Sequence, residues 1–155
     1  MKKILTAGIL AFVLFGNINC LKDNSCNAKS PQSEQAAIVA YAAANSINAT
    51  AHSSGLYYEV INAGSGATPN GLSTVSVRYV GKLTNGTVFD SQTGTPVTFP
   101  LSQVIPGWQV GLPLIQKGGT IKLILPSSMA YGCVGAGSIP PDSILYFEIN
   151  LIDVQ

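Results

Sequence analysis

Two alternating apolar runs flank Asn85-Gly86, and no other feature constrains the fold of this chain as strongly. Val75, Val77 and Tyr79 alternate with polar residues ahead of the pair, the run continues to Leu83, and Val88-Phe89 follows. Asn-Gly between such runs signals a tight hairpin, because both residues tolerate the positive φ that hairpin turns require. A fixed hairpin implies antiparallel pairing, and the rest of the chain supplies partners. Leu56, Tyr58 and Val60 alternate, as do the apolar stretches Thr120 to Leu125 and Ile144 to Val154. The spacing predicts a loop from Ser91 to Pro96, a short strand Val97-Thr98-Phe99, and a long Gly/Pro loop from Pro126 to Pro141. Pro106 to Leu112 can form only a short helix, closed by Pro113 and stopped by Gly118-Gly119. The sum is an α+β domain over residues 55–155, an antiparallel sheet with one short internal helix.

Ahead of Gly55 the period is helical. Ser30-Pro31 and Ser33-Glu34 are cap and first-turn residues, and Ala37, Ile38, Tyr41, Ala42 and Ile47 recur at three- and four-residue spacing. An N-terminal helix over 33–50 is expected, with its stripe packed on its own domain. A dimer contact is the alternative, so monomer and dimer both stay open. Residues 20–32 are polar and read as a tether. Residues 1–19 read as a signal peptide: Lys2 and Lys3, an apolar run from Ile4 to Phe15, then Gly16 and polar residues. That run is short for a bilayer core of roughly 30 Å. Cys20 directly after it resembles the acylated cysteine of a bacterial lipoprotein, although Asn17, Ile18 and Asn19 stand where small residues are usual. Export is expected, with a lipid on Cys20 anchoring the chain to a membrane and facing the periplasm or the cell exterior. Cys26 and Cys133 then remain, either as a disulfide or as two separate thiols.

Charge and chemistry exclude several classes. Eight Lys+Arg against seven Asp+Glu, with Arg78 the only arginine, give no cluster for a nucleic-acid backbone. The single histidine, His52, lies in a polar Ala-His-Ser-Ser segment and reads as a surface residue. Neither a G-x-S-x-G elbow nor a Cys/His pairing is present. Gly118-Gly119-Thr120 and Gly135-Ala136-Gly137 lack the Lys-Ser/Thr ending of a phosphate loop, and two distant cysteines with one histidine make no metal cluster. No cofactor and no metal are expected.

The sequence offers instead aromatic and branched residues beside turns, in a specific order. Val77-Arg78-Tyr79-Val80-Gly81 and Asn85-Gly86-Thr87-Val88-Phe89-Asp90-Ser91 resemble the V-x-Y-x-G and D-G-x-x-F-D-S signatures of FKBP-type peptidyl-prolyl cis-trans isomerases. Val104-Ile105-Pro106-Gly107-Trp108 resembles that family's V-I-x-G-W, and Lys117-Gly118-Gly119 before the strand Ile121 to Ile124 resembles its G-x-x-x-x-x-x-I-P segment, with Leu125-Pro126 in the last place. Ala130-Tyr131-Gly132, Ile139-Pro140-Pro141 and Leu145-Tyr146-Phe147-Glu148-Ile149-Asn150-Leu151 resemble its A-Y-G, I-P-P and L-x-F-x-V-x-L. All of these blocks occur in order across roughly a hundred residues.

The resemblance implies a twisted antiparallel sheet wrapped around a short α-helix, with the ligand held between them. It implies Trp108 as the floor beneath a proline ring, with Tyr79, Phe89, Val104, Ile105, Ile139 and Phe147 as walls. The catalytic groups carried over are the Ile105 N–H, the Tyr131 hydroxyl, which would donate to substrate backbone, and Asp90 at the edge. Proline-containing polypeptides are the implied partners, and macrolide inhibitors fit the same site. The chain departs from the family at the Asp90–Pro96 loop, which has no arginine to pair with Asp90, and at Val97, where an aromatic is common. A loosely oriented Asp90 is therefore expected. Two other readings use the same residues: a proline-peptide-binding chaperone or adaptor with little turnover, and an envelope lipoprotein that keeps only the fold.

Overall fold

The computed structural model describes residues 26–155. The signal peptide, Cys20 and the first part of the tether lie outside the described residues. Helix α1 runs Pro31–Ala44, with Pro31 at its first turn and the Ser30 hydroxyl accepting from the Ser33 N–H at 3.3 Å. It ends six residues before the expected boundary. Ser46 adopts φ 53°, its N–H bonds the Ala43 carbonyl, and the Ile47 N–H reaches back to the Ala42 carbonyl at 2.9 Å. This is a Schellman closure, in which the residue after the cap turns left-handed and the next apolar side chain folds back onto the last turn. Ile38, Ala42 and Ile47 are buried as expected, Tyr41 is half-buried, and Ala37 faces solvent.

Six antiparallel strands follow: β1 (Thr50–Ala51), β2 (Tyr57–Asn62), β3 (Thr74–Leu83), β4 (Val88–Pro100), β5 (Thr120–Leu125) and β6 (Leu145–Val154). Their order is β1-β2-β5-β6-β3-β4. The sheet thus starts at Thr50, inside the stretch expected to be helical. At the Asn85-Gly86 hairpin, Gly86 takes φ 88° while Asn85 does not turn left-handed, and the Gly86 N–H bonds the Leu83 carbonyl at 2.9 Å. The connection is a type I turn with a left-handed glycine rather than a two-residue turn. The expected loop and short strand after Ser91 are one continuous strand carrying a bulge. Val77 pairs with Val97 and Tyr79 with Gln92, so 93–96 bow outward opposite Arg78. Arg78 Nε donates to the Gly94 carbonyl at 2.7 Å and holds the bow in place.

Helices cover opposite faces of this sheet. Along β5 and β6, Ile121, Leu123, Leu125, Leu145, Phe147, Ile149 and Leu151 turn to one face, Ile124 and Tyr146 to the other. The first set packs with Leu112 and Trp108 of the region around α2 (Pro106–Gly111), the second with Ile38 and Ala42 of α1. Gly107 and Gly111 let α2 lie directly on β5, where a Cβ would collide with the side chains of Leu125 and Leu123. Cys26 and Cys133 form a disulfide, with Cα atoms 5.5 Å apart across a sequence separation of 107. The open alternative closes in favour of pairing, and the tether is bound to the loop after Tyr131.

Candidate functional site

Between α2, the concave face of the sheet and the loop bearing Tyr131 lies an open cavity of about 320 Å³. Trp108 is its floor. The alternation of β3, β4 and β6 sends Tyr79, Phe99 and Phe147 toward that indole, with ring centroids at 5.1, 5.8 and 5.2 Å. Tyr79 and Phe147 meet it edge-on, at 83° and 86°, and Phe89 in turn stands edge-on to Phe147. Edge-to-face stacking directs the positive ring edge at the negative ring face, and each pair adds about 0.5–1.5 kcal/mol beyond area burial. Two rings thereby stand upright on the indole, Phe89 stands upright on one of them, and Phe99 leans against the floor at 46°. The Trp108 indole N–H is buried and has no hydrogen-bond partner among the described residues.

The polar groups stand at the rim. Asp90 is exposed, and the Tyr79 hydroxyl donates to its Oδ2 at 2.5 Å. The expectation of a loosely oriented Asp90 is therefore corrected: a tyrosine from the neighbouring strand performs the role expected of an arginine. Burial, followed by the Asp90 hydrogen bond and charge, pushes the Tyr79 hydroxyl well above the usual tyrosine range. Burial and then Asp90 also push Tyr131 up. Both phenols stay protonated at neutral pH and remain donors. The Tyr131 ring is 38% exposed at the mouth. On the opposite wall, Val104 and Ile105 lead into α2. Gln109 Nε2 donates to the Val104 carbonyl at 2.7 Å, while the Ile105 N–H has no acceptor among the described residues.

Of the residues expected here, Tyr79, Phe89, Asp90, Val104, Ile105, Trp108, Tyr131 and Phe147 line the cavity. Ile139 does not; at 7% exposure it packs into the core, and its N–H and carbonyl both bond Ala136. Phe99, one of the aromatics beside turns but not among the walls that the resemblance implies, lines the cavity, as does Gln103. Phe99 was visible as the aromatic two residues after Val97 on one strand face. Gln103, in the 3₁₀ turn Leu101–Gln103, belongs to no pattern that names it. The lining holds no histidine, lysine, arginine or cysteine. Proton transfer by a histidine or lysine, or covalent attack by a thiol, has no residue to perform it here.

A second cleft of about 380 Å³ opens on the other face, beside Tyr41, Lys82, Asn85 and Tyr146. Its groups are largely engaged with one another: Lys122 Nζ donates to Glu59 Oε2 at 3.0 Å, and the Tyr146 hydroxyl to Glu148 Oε2 at 3.3 Å. His52 is half-buried and capped by Ser54, whose N–H it accepts at 3.1 Å, far from any such arrangement.

Residues 66–152 match the family model described as FKBP-type peptidyl-prolyl cis-trans isomerase. The chain is 49% identical over 104 residues to the FKBP-type peptidyl-prolyl cis-trans isomerase FkpA of Aeromonas hydrophila, a match covering 66% of this chain and 39% of that protein. It is equally identical, over 106 residues, to the outer membrane protein MIP of Legionella longbeachae, covering 66% of this chain and 45% of that one. Among solved structures, FkpA from Escherichia coli superposes with a TM-score of 0.72 at 40% identity, covering 81% of this chain and 61% of that one. A peptidyl-prolyl cis-trans isomerase from Pseudomonas syringae gives 0.69 at 33%, covering 83% and 98%. The chain thus spans well under half the length of the curated relatives it matches.

Proposed function

The chain belongs to the FKBP-type peptidyl-prolyl cis-trans isomerase family, and we propose that its aromatic cavity catalyses rotation about X-Pro peptide bonds in exported polypeptides. The uncatalysed barrier is about 18–20 kcal/mol, because rotation breaks the double-bond character of C–N. Water on the carbonyl favours the planar, charge-separated amide and so maintains that barrier. A proline ring seated on Trp108, between Tyr79, Phe99 and Phe147, leaves water behind. The twisted amide, having lost its resonance, then tolerates the apolar site better than either planar isomer does. The Ile105 N–H and the Tyr131 hydroxyl hold the backbone on either side of the rotating bond, and Asp90 fixes Tyr79 at the rim. Each tenfold of rate requires about 1.4 kcal/mol of preference for the twisted form. The observation that carries this reading is the open ring-lined cavity over Trp108 with the uncommitted Ile105 N–H and Tyr131 hydroxyl at its rim. The test is cis-to-trans relaxation of a proline tetrapeptide with residues 21–155. Acceleration that falls in Phe147→Ala supports it; binding of the peptide by a folded chain without acceleration makes the domain a proline-peptide adaptor instead.

The proposal extends to location. Lys2, Lys3 and the Ile4–Phe15 run direct export, and a lipid on Cys20 anchors the chain to a bacterial membrane. The Cys26–Cys133 disulfide supports an oxidising compartment, and among the described residues no helix is long and apolar enough to cross a membrane. Labelling with radioactive palmitate that disappears in Cys20→Ser would establish the anchor; label retained in that variant would refute it.

A further inference from the structure

The N-terminal segment, which lies outside the stretch 66–152 matched by the family model, is fastened to the Tyr131 loop at three places. Cys26 is disulfide-bonded to Cys133, two residues beyond Tyr131. Lys29 Nζ stands 3.7 Å from Asp142 Oδ2, at the far end of the same loop. The third tie is buried: Glu34, on the first turn of α1 and 5% exposed, accepts through Oε2 from both the Ser127 N–H (2.7 Å) and the Ser127 hydroxyl (2.9 Å), 93 residues away. A carboxylate is an expensive group to take out of water, and an apolar side chain would fill the same space without that penalty. Its presence needs a reason in what Ser127 does.

Ser127 is the residue on which the turn carrying Tyr131 hangs. Its carbonyl accepts from the Ala130 N–H at 3.0 Å and from the Gly132 N–H at 2.8 Å, the two residues flanking Tyr131. The other face of Ser127, its N–H and hydroxyl, is the one held by Glu34. We propose that residues 26–34 form a strap that positions Tyr131 over the cavity, with Glu34 acting through Ser127 on one side of the tyrosine and the Cys26–Cys133 bond acting on the other. Glu34 touches no lining residue and is a positioning residue. Its effect is carried by a turn otherwise tied by the Gly135 N–H on the Tyr131 carbonyl (3.1 Å), the Asp142 N–H on the Gly132 carbonyl (2.8 Å) and the buried side chain of Met129 ahead of Tyr131. Releasing the strap leaves the aromatic floor intact and lets Tyr131 drift.

This inference rests on the isomerase reading for its catalytic consequence, so the experiment carries a readout independent of activity. In the chain 21–155, Glu34→Ala and Cys26→Ser are each made in the wild-type and the Tyr131→Phe backgrounds, with Glu34→Gln as the conservative variant, since its amide oxygen can still accept from Ser127. Tetrapeptide isomerisation is measured together with hydrogen exchange at the Ala130 and Gly132 amides. Each release lowers kcat/KM by roughly tenfold in the wild-type background, by less than twofold once Tyr131 is phenylalanine, and Glu34→Gln restores most of the loss. Exchange at Gly132 quickens while the β5 and β6 amides keep their protection. Equal losses in both backgrounds, or unchanged exchange at Gly132, would overturn the strap. If Glu34→Ala does not fold, Cys26→Ser alone decides by the same two readouts. If the wild type shows no acceleration, the isomerase reading fails, and the exchange data still decide whether the strap holds the loop.

Discussion

Tyr146 and Phe147 are neighbours on β6 and face opposite worlds. Phe147 enters the cavity with its ring against Trp108; Tyr146 lies under α1, with its ring 5.9 Å from Tyr41. Both faces of the sheet carry a cleft, but the one beside Tyr41 and Tyr146 is rimmed by Lys82, Lys122 and Glu148, whereas the one over Trp108 is walled by aromatic rings. The difference lies in the covering helix. α1 has fourteen residues, ample length to lie across β5 and β6 and seat Ile38 and Ala42 against Ile124. α2 has six, ending in a Leu-Pro-Leu turn, so it can cover only part of a sheet of this width. The uncovered part keeps its rings, and these are held upright by one another instead of by a lid. A binding site of this kind is a core left unfinished by a short helix. That explains how a cavity with an aromatic floor can still be open to water.

Substitutions on the two faces sharpen the contrast, and the largest effect belongs to the open one. Phe147→Ala removes the ring that supports both Trp108 and Phe89. It should cost about 3–5 kcal/mol of stability, by analogy with other buried aromatic truncations, and abolish most of the catalysis in the tetrapeptide assay. Ile124→Ala, fully buried on the α1 side, should cost a comparable ~2–5 kcal/mol in urea unfolding. Its kcat/KM per folded molecule should stay within twofold of wild type, because nothing on that face reaches the cavity. If Ile124→Ala lowers activity as steeply as stability, the two faces are not separable and the comparison breaks.

The sequence disclosed the two faces unequally. The order of motifs placed nearly all of the cavity wall, because each wall residue sits on a strand or turn with its own local signature. Ile139 was misplaced for an instructive reason. Its Ile-Pro-Pro setting marks a loop beside the site, but the Ala136–Ile139 pairing of that loop directs the side chain into the core cluster and not onto the cavity wall. The end of α1 was misjudged because the closure uses Ser46 where glycine is usual. Asp90 was expected to lack a partner because an arginine was sought, whereas the partner, Tyr79, is eleven residues back on the adjacent strand and was already assigned as wall. Least legible was the role of Glu34. A first-turn glutamate has an ordinary local explanation as a helix-end charge, and only the fold brings it to Ser127.

Asp90→Ala tests the rim with less disturbance than any change to the floor. Asp90 is exposed, so stability should change by less than about 0.5 kcal/mol. The freed Tyr79 hydroxyl loses its fixed direction, and kcat/KM should fall roughly tenfold, equivalent to about 1.4 kcal/mol of transition-state preference. An unchanged rate would mean that the rings alone perform the catalysis.

The smallest effect lies on the covered face and is read in alkali. Burial, and then the Glu148 charge and hydrogen bond, hold the Tyr146 hydroxyl well above its ordinary value of 10.0. A raised folded-state value means that the native chain keeps this proton where the unfolded chain has begun to lose it. The resulting stability is therefore fully present below pH 10 and declines as pH rises beyond it. Tyr146→Phe removes one hydrogen bond of 3.3 Å and should cost about 0.5 kcal/mol at pH 7. It should also flatten the fall in melting temperature above pH 10, because one of the raised phenols no longer ionises on unfolding. The remainder of the fall belongs to Tyr79, Tyr131 and Tyr41, also raised by burial. Of these, Tyr79 and Tyr131 face the cavity. Isomerase activity should accordingly persist in Tyr146→Phe and decline in step with wild type at high pH. A variant whose activity profile departs from wild type at high pH would show that Tyr146, across the sheet, reaches the site after all.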